Sequence, residues 1–314
     1  MSSSNARTDP THANQPLHKP LLVGLFGQNI LQSLSPAMHA QEARHHGLAL
    51  HYQLMEFTHM NAGAGAGIEA LPAMLHAVRE IGFAGINVTY PFKQAILPLL
   101  DAISPEAQAI GAVNTVVFKD GRATGYNTDG YGFGTALDLA LIQSGKRAAL
   151  GPTVLVGTGG AGAAVAHALL KLGASQLTLL DTDAAKAQAL AANLGSHYAP
   201  ERIACATVAS SEAQAAIAAA DGFVNATPIG MYSHPGLCVP TEWIKPNHWV
   251  ADVVYSPLNT QLLQVAAARG CATVAGSGMA VWQGVQAFEL FTGIAPDSQR
   301  MGAHFIALLA QRGQ

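Results

Sequence analysis

Charge is scarce in this chain: only 11% of its 314 residues are Asp, Glu, Lys or Arg. The formal net charge is −3, with no basic face and no run of lysines or arginines, which argues against nucleic acid or an anionic membrane surface as a partner. Cysteine is nearly missing. Cys205, Cys238 and Cys271 form an odd set without a CxxC pair. That excludes a disulfide framework or a zinc knuckle and fits a reducing cytoplasm. No apolar run reaches the ~18 residues of a membrane span. There are 13 histidines but no HExxH, and adjacent His45 and His46 would point in different directions on a helix, so no metal site is expected. Residues 1–19 lack an apolar signal core and read as a flexible leader outside the fold.

Apolar residues are plentiful, at 50% of the chain, enough for a large core, and the length suits two domains. "LLVGLFG" (21–27) reads as a buried strand. Ser35-Pro36 opens a helix through about His46, with Pro36 suited to a first turn. "ALHYQLMEF" (49–57) is a strand, "AGAGAG" (62–67) a flexible loop, and "IEALPAMLHAVREIG" a helix that bears some cost at Pro72. "FAGINVTY" is the next strand, with a helix beginning near Phe92. "NTVVFKDGRATGYN" is a hairpin around Asp120-Gly121. From about Asp129 strands alternate with helices of ~10–15 residues, the pattern of parallel βαβ units. From about Met279 the chain is helical. The expected architecture is α/β in two domains, 20–129 and 130–278, with helices of 279–314 packing back onto the first.

"VLVGTGGAG" places Gly157, Gly159 and Gly162 in a G-x-G-x-x-G pattern after a strand and before a helix, the context in which that pattern binds a dinucleotide. The helix N-terminus offers free N–H groups and a partial positive charge to phosphates. The second strand ends in Asp181, at about the ~20-residue spacing of a ribose ligand. A carboxylate there accepts from both adenosine-ribose hydroxyls and repels a 2′-phosphate, and the only cation in "DTDAAKAQ" is Lys186. NAD is therefore expected in preference to NADP. A simple helix cap by Asp181 or Asp183 is the alternative.

Four segments leave polar groups at expected strand or loop ends: Ser33 and Ser35 in "SLSP", Asn87, Thr89 and Lys93 in "INVTYPFK", Asn114 in "GAVNT", and Asn127 and Asp129 in "GYNTDGYGF". Singly, each has a bland explanation: Ser35 as an N-cap, Asn114 as a turn residue, Lys93 as a surface lysine, Asp129 as a cap for a helix near Gly130. Together they suit a small polyhydroxylated ligand beyond the carboxyl ends of the strands. Hydride loss from an alcohol requires loss of the hydroxyl proton, which a neutral lysine can accept as general base. Burial lowers and a nearby carboxylate raises a lysine's pKa.

At "SLSPAMH", "GINVTYPFK", "GAVNT", "GYNTDGYGF", "VGTGGAGAA", "NATPIGM", "DVVYSPLNTQLL" and "GSGMAVWQGVQAFELFTG" the sequence resembles the shikimate dehydrogenase family, including its quinate/shikimate branch. The resemblance covers essentially the whole chain after the leader. It implies an N-terminal substrate domain, a Rossmann doubly wound parallel sheet, a cleft that opens and closes between them, and reversible oxidation of shikimate or, in one branch, quinate. It implies Lys93 and Asp129 as the catalytic pair. Ser33, Ser35, Thr89, Asn114 and Gln283 match substrate ligands, with Asn87 and Tyr255 nearby. Gly157, Thr158, Gly159, Gly160 and Ala161 match the phosphate loop, and Thr227, Val253, Gly276 and Met279 the nicotinamide side. Asp181-Thr182-Asp183 departs from the Asn-Arg-Thr-type segment of NADP-using members and resembles the NAD-using branch. Ser35 is similar to strict shikimate enzymes, where a quinate-using member has threonine. Aminoshikimate-type substrates stay open, as does a ligand sensor that lost the chemistry. A monomer or homodimer acting on small molecules is expected.

Overall fold

The computed structural model describes residues 20–57, 67–145 and 150–312. The expected leader and the glycine loop, apart from Gly67, lie outside the described residues. Two six-stranded sheets organise the rest. The first contains β1 (Leu21–Gly27), β2 (Leu50–Glu56), β3 (Gly85–Val88), β4 (Ala102–Ile103), β5 (Thr115–Lys119) and β6 (Arg122–Tyr126), ordered β2-β1-β3-β5-β6-β4. The second contains β7 (Thr153–Val156), β8 (Leu177–Asp181), β9 (Ile203–Thr207), β10 (Gly222–Asn225), β11 (Trp249–Asp252) and β12 (Ala272–Val274), ordered β12-β11-β10-β7-β8-β9.

Every pairing in the second sheet is parallel, and its order reverses between β7 and β10. This is the doubly wound arrangement, in which ligands bind at the carboxyl ends beside the switch point. Strands β7, β10 and β11 are buried on both faces, as their near-continuous apolar runs require. In the first sheet only β5 runs against its neighbours. The reversal follows from the hairpin: Asp120 and Gly121 both take positive φ, 51° and 74°, the geometry of a two-residue turn. Because β5 is reversed, its beginning, Asn114-Thr115, shares one edge of the sheet with the ends of β1, β3 and β6. That edge is where the sequence concentrated its amides and hydroxyls.

Eleven helices are described. They are α1 (Ser35–His45), α2 (Leu71–Ile81), α3 (Phe92–Ala95), α4 (Pro105–Ile110), α5 (Thr128–Gln143), α6 (Gly160–Lys171), α7 (Ala184–Gly195), α8 (Ser211–Ala219), α9 (Gln261–Ala268), α10 (Gly276–Thr292) and α11 (Ser298–Gln311). Pro72 does not interrupt α2. The helix begins at Leu71, so the N–H that proline lacks is one the first turn leaves unsatisfied anyway. None of the described helices is long and apolar enough to cross a membrane.

Two helices join the sheets. Phe133, Leu137 and Leu141 of α5 enter the core beneath the second sheet, while its first residue, Thr128, is bonded to Asn114 of the first. Met279 of α10 enters the second core, whereas Val281, Val285 and Phe288 pack with α1 and α11, and Ala287 and Phe291 with β1. The terminal helices thus return to the first sheet.

One buried charge fastens that return. Glu42 of α1 is 1% exposed. It accepts from Arg300 Nε at 2.8 Å and Nη2 at 2.6 Å, and from the backbone N–H of Asp297 at 2.8 Å. Burial alone would push its carboxyl up, but the bonds from Arg300, Asp297 and His46 prevail and hold it below its ordinary value. Arg300→Met should lower unfolding stability at neutral pH, because the Glu42 carboxylate loses its cation. Glu42's folded value is depressed. Its contribution is therefore full above the ordinary carboxylate range and is lost as pH falls through the depressed folded value. Urea titrations across acid pH should show the gap between wild type and variant closing.

Candidate active site

The chain leaves β3 through Thr89 and a cis Tyr90–Pro91 bond into the short helix α3, which carries Lys93 on its first turn. Asp129 comes from the first turn of α5. It does not cap that helix. Asn127 is the N-cap, and its Oδ1 accepts from the N–H groups of Asp129 at 3.1 Å and Gly130 at 3.2 Å. The Asp129 carboxylate is thereby left for Lys93, whose Nζ donates to Oδ2 at 2.5 Å. Both side chains are largely enclosed, with 18% and 10% exposed. Ser35 is likewise not a cap. It is the first residue of α1, with Leu34 at the N-cap, and its N–H donates to Ser33 Oγ at 3.3 Å.

Beneath this pair runs a chain of buried hydrogen bonds. Tyr52 of β2 donates to Asn87 Oδ1 at 2.8 Å, and Asn87 Nδ2 donates to Thr115 Oγ1 at 3.0 Å. Thr115 Oγ1 donates to Asn114 Oδ1 at 3.0 Å, and the Thr128 N–H donates to the same oxygen at 2.7 Å. Asn114 Nδ2 closes the chain onto Thr128 Oγ1 at 2.9 Å. Burial pushes the Tyr52 phenol up, opposed by a hydrogen bond with Ser35. The chain therefore spans from Ser35 to the residue before Asp129 and holds the site edge rigid. Asn87 and Asn114 are 7% and 4% exposed and are themselves members of it. Tyr52, Thr115 and Thr128 carry no sequence signal of their own: a lone Tyr or Thr in a strand reads as ordinary β composition.

Gln283 lies on α10, where a side-chain carbon on Gly132 of α5 would come within 2.7 Å of the Gln283 backbone nitrogen, so the two helices touch one turn beyond Asp129. Its own Nε2 donates within the helix, to Ala280 O. Tyr255 stands apart. Its ring is exposed and meets Phe305 edge-on at 5.7 Å between centroids.

Across from the pair, Gly157 follows β7 with φ +95°, and a Cβ on Gly162 would lie 2.0 Å from Gly157 O. Only glycine permits both the turn and the approach of α6 to it. Gly159 is the N-cap of α6 and no side chain caps it. A carbon added to Gly159 would meet nothing within 4 Å, and one on Gly160 would sit 3.5 Å from Lys93 Cδ. The free N–H groups of Gly160 and Ala161 thus face an open space bordered by Lys93. The Asp181 carboxylate is bound from the turn by Thr158, and Asp183, not Asp181, caps α7. An uncapped helix start, a glycine cradle and a carboxylate at the end of the second strand together fit an NAD-type dinucleotide.

Thr227, Val253 and Gly276 follow β10, β11 and β12. A buried network that the sequence did not reveal braces the first two. Asn225 Oδ1 accepts from Thr227 N at 3.1 Å and Oγ1 at 2.7 Å, and Asn225 Nδ2 donates to Asp252 Oδ1 at 2.9 Å. Asp252 also accepts from Val254 N at 3.0 Å and from Thr260 Oγ1 at 2.7 Å. Burial pushes its carboxyl up against these bonds. The available signal was a lone Asn in "GFVNATP" and a lone Asp in "WVADVVY", each at the end of an apolar strand.

Two family models match the chain: the shikimate dehydrogenase substrate binding domain over residues 25–116 and the shikimate 5′-dehydrogenase C-terminal domain over residues 276–301. A shikimate dehydrogenase (NADP(+)) of Streptomyces avermitilis is 48% identical over 91% of this chain and 95% of its own. A quinate/shikimate dehydrogenase (NAD(+)) of Corynebacterium efficiens is 46% identical over 93% of this chain and 99% of its own. The structure of quinate dehydrogenase from Corynebacterium glutamicum in complex with NAD is similar with a TM-score of 0.84 at 42% identity, covering 92% of this chain and 99% of that one. With close to half its positions shared along nine-tenths of its length, the chain belongs to the shikimate dehydrogenase family.

Proposed function

We propose that this enzyme reversibly oxidises shikimate to 3-dehydroshikimate, with NAD preferred to NADP. Residues 20–129, completed by 279–314, form the substrate side, and residues 130–278 the cofactor side. The observation that carries the reading is the enclosed Lys93–Asp129 pair bordering the open N-terminus of α6. Bound NAD supplies the hydride acceptor. Lys93 Nζ takes the proton of the hydroxyl being oxidised and returns it in reverse. The ammonium is the proton-donating form that reduction uses, and oxidation uses the neutral amine. Asp129 orients Lys93 and accepts a neighbouring substrate hydroxyl. Ser33, Ser35, Thr89 and Gln283 hold the remaining hydroxyls and the carboxylate, with Asn87 and Asn114 shaping the wall. Gly157, Gly159, Gly160 and Ala161 hold the pyrophosphate, Asp181, bonded by Thr158, the ribose, and Thr227, Val253, Gly276 and Met279 the nicotinamide end.

Quinate is the second substrate, a reading that the quinate-using relatives favour. Initial rates with shikimate and quinate, each with NAD and NADP, test both. Shikimate with NAD is expected to be fastest and quinate measurable. A faster NADP reaction would refute the cofactor assignment.

The Asn225–Asp252 brace joins the loops bearing Thr227 and Val253. Asp252→Asn should raise the KM for NAD about tenfold, the scale of one buried charge-assisted hydrogen bond, and leave the KM for shikimate within about twofold. Equal rises in both would contradict a role confined to the cofactor side.

A further inference from the structure

Thr158 directs an unusual number of donors at one carboxylate oxygen. Gly157 N donates to Leu180 O at 2.8 Å, which pins the glycine turn to the end of β8. The next residue then presents both its donors to Asp181 Oδ2, the backbone N–H at 2.8 Å and the hydroxyl at 2.7 Å. The other oxygen, Oδ1, accepts from Asp183 N at 3.0 Å and from Thr182 Oγ1 at 3.4 Å. All four donors are neutral. The nearby cation, Lys186, is directed to Asp183 Oδ2 at 3.9 Å. Thr158 is 8% exposed, so its hydroxyl sits in a packed setting away from competing water.

We infer that the Thr158 hydroxyl is a cofactor-selectivity determinant, acting by locking the Asp181 carboxylate in place beside the adenosine ribose. This rests on the NAD reading above and adds to it a residue that acts through another. A free aspartate can turn about its side-chain bonds and withdraw from an incoming 2′-phosphate. One held by two donors on a single oxygen cannot, so the repulsion is delivered in full. The same lock presents Oδ1 to a ribose hydroxyl, which displaces the long bond from Thr182. The balance of bonds over burial also keeps the Asp181 carboxyl below its ordinary value, so the charge persists through the neutral range.

The test is the ratio of kcat/KM for NAD to kcat/KM for NADP in four proteins, with tryptophan fluorescence to confirm folding. Thr158→Val keeps the shape and removes the hydroxyl, and should lower the ratio about tenfold, as for one hydrogen bond to a charged group. Thr158→Ser keeps the hydroxyl and should hold the ratio within about twofold. Asp181→Ala should lower the ratio further. In the Asp181→Ala background, Thr158→Val should have no further effect on it, because the group it positions is gone. A wild-type enzyme without NAD preference would overturn the cofactor reading itself. If wild type prefers NAD, Asp181→Ala abolishes that preference and Thr158→Val keeps it, the NAD reading stands and the locking role is refuted. Equal losses from Thr158→Val with and without Asp181 would likewise refute it, since they would mark a merely structural residue.

Discussion

Lys93→Ala should reduce kcat for shikimate oxidation by ~10²–10⁴, the usual contribution of a positioned proton-transfer group. The KM for shikimate should change far less. The variant removes a group that acts on the reacting hydroxyl in the transition state and leaves the groups that hold the ring. The core contact of α3, Phe92, is kept, so the fold should persist, with some stability lost because the enclosed Asp129 carboxylate is left without its cation. Steady-state rates with both substrates varied separate these effects. Unchanged kcat would remove Lys93 from the chemistry.

Asp129→Asn should lower kcat by about 10²–10³ and, unlike the lysine variant, also raise the KM for shikimate several-fold. The amide keeps the size and one acceptor, so α5 and its Asn127 cap should persist. What is lost is the charge opposite an enclosed ammonium and the second acceptor that a substrate hydroxyl needs. An ammonium left without its counter-ion is costly in such a site. The helix should lose a further ~0.3–1 kcal/mol, since an anion in the first turn of α5 opposes the positive end of the helix dipole. The paired readout is the ratio of KM effects in the two variants. Equal KM effects would contradict the division of labour between proton transfer and hydroxyl binding.

The parts of the fold that came from local chemistry were readable. The hairpin at Asp120-Gly121 needed only two residues tolerant of positive φ, and the glycine turn after β7 only its own spacing. The strand-end polar groups were readable as a set because apolar runs stop abruptly at Val88 and Leu180 and polar residues follow. The boundaries shifted where distant contacts decide them. Helix α10 begins at Gly276, three residues before the expected Met279. Gly276 and Gly278 look like loop residues in sequence, yet a Cβ on Gly276 would lie 2.3 Å from Val253 O. Helix α5 begins at Thr128, because Asn127 and not Asp129 does the capping. Strand β4 is two residues long and pairs only with β6, too short for any periodicity to announce it. The braces under the site were the least legible. Tyr52, Asn87, Thr115 and Asn114, like Asn225 and Asp252, meet only after strands far apart in sequence have paired. Nothing within either segment marks the partner.

On the proposed function, one ammonium and one carboxylate close on the substrate opposite the nicotinamide. A crystal structure of the enzyme with shikimate and NAD bound tests it most directly. Lys93 Nζ is expected within hydrogen-bond reach, about 2.6–3.2 Å, of the hydroxyl that is oxidised, with Asp129 on a neighbouring substrate hydroxyl. Shikimate bound with that hydroxyl turned toward other side chains, and the Lys93–Asp129 pair left facing solvent, would contradict it.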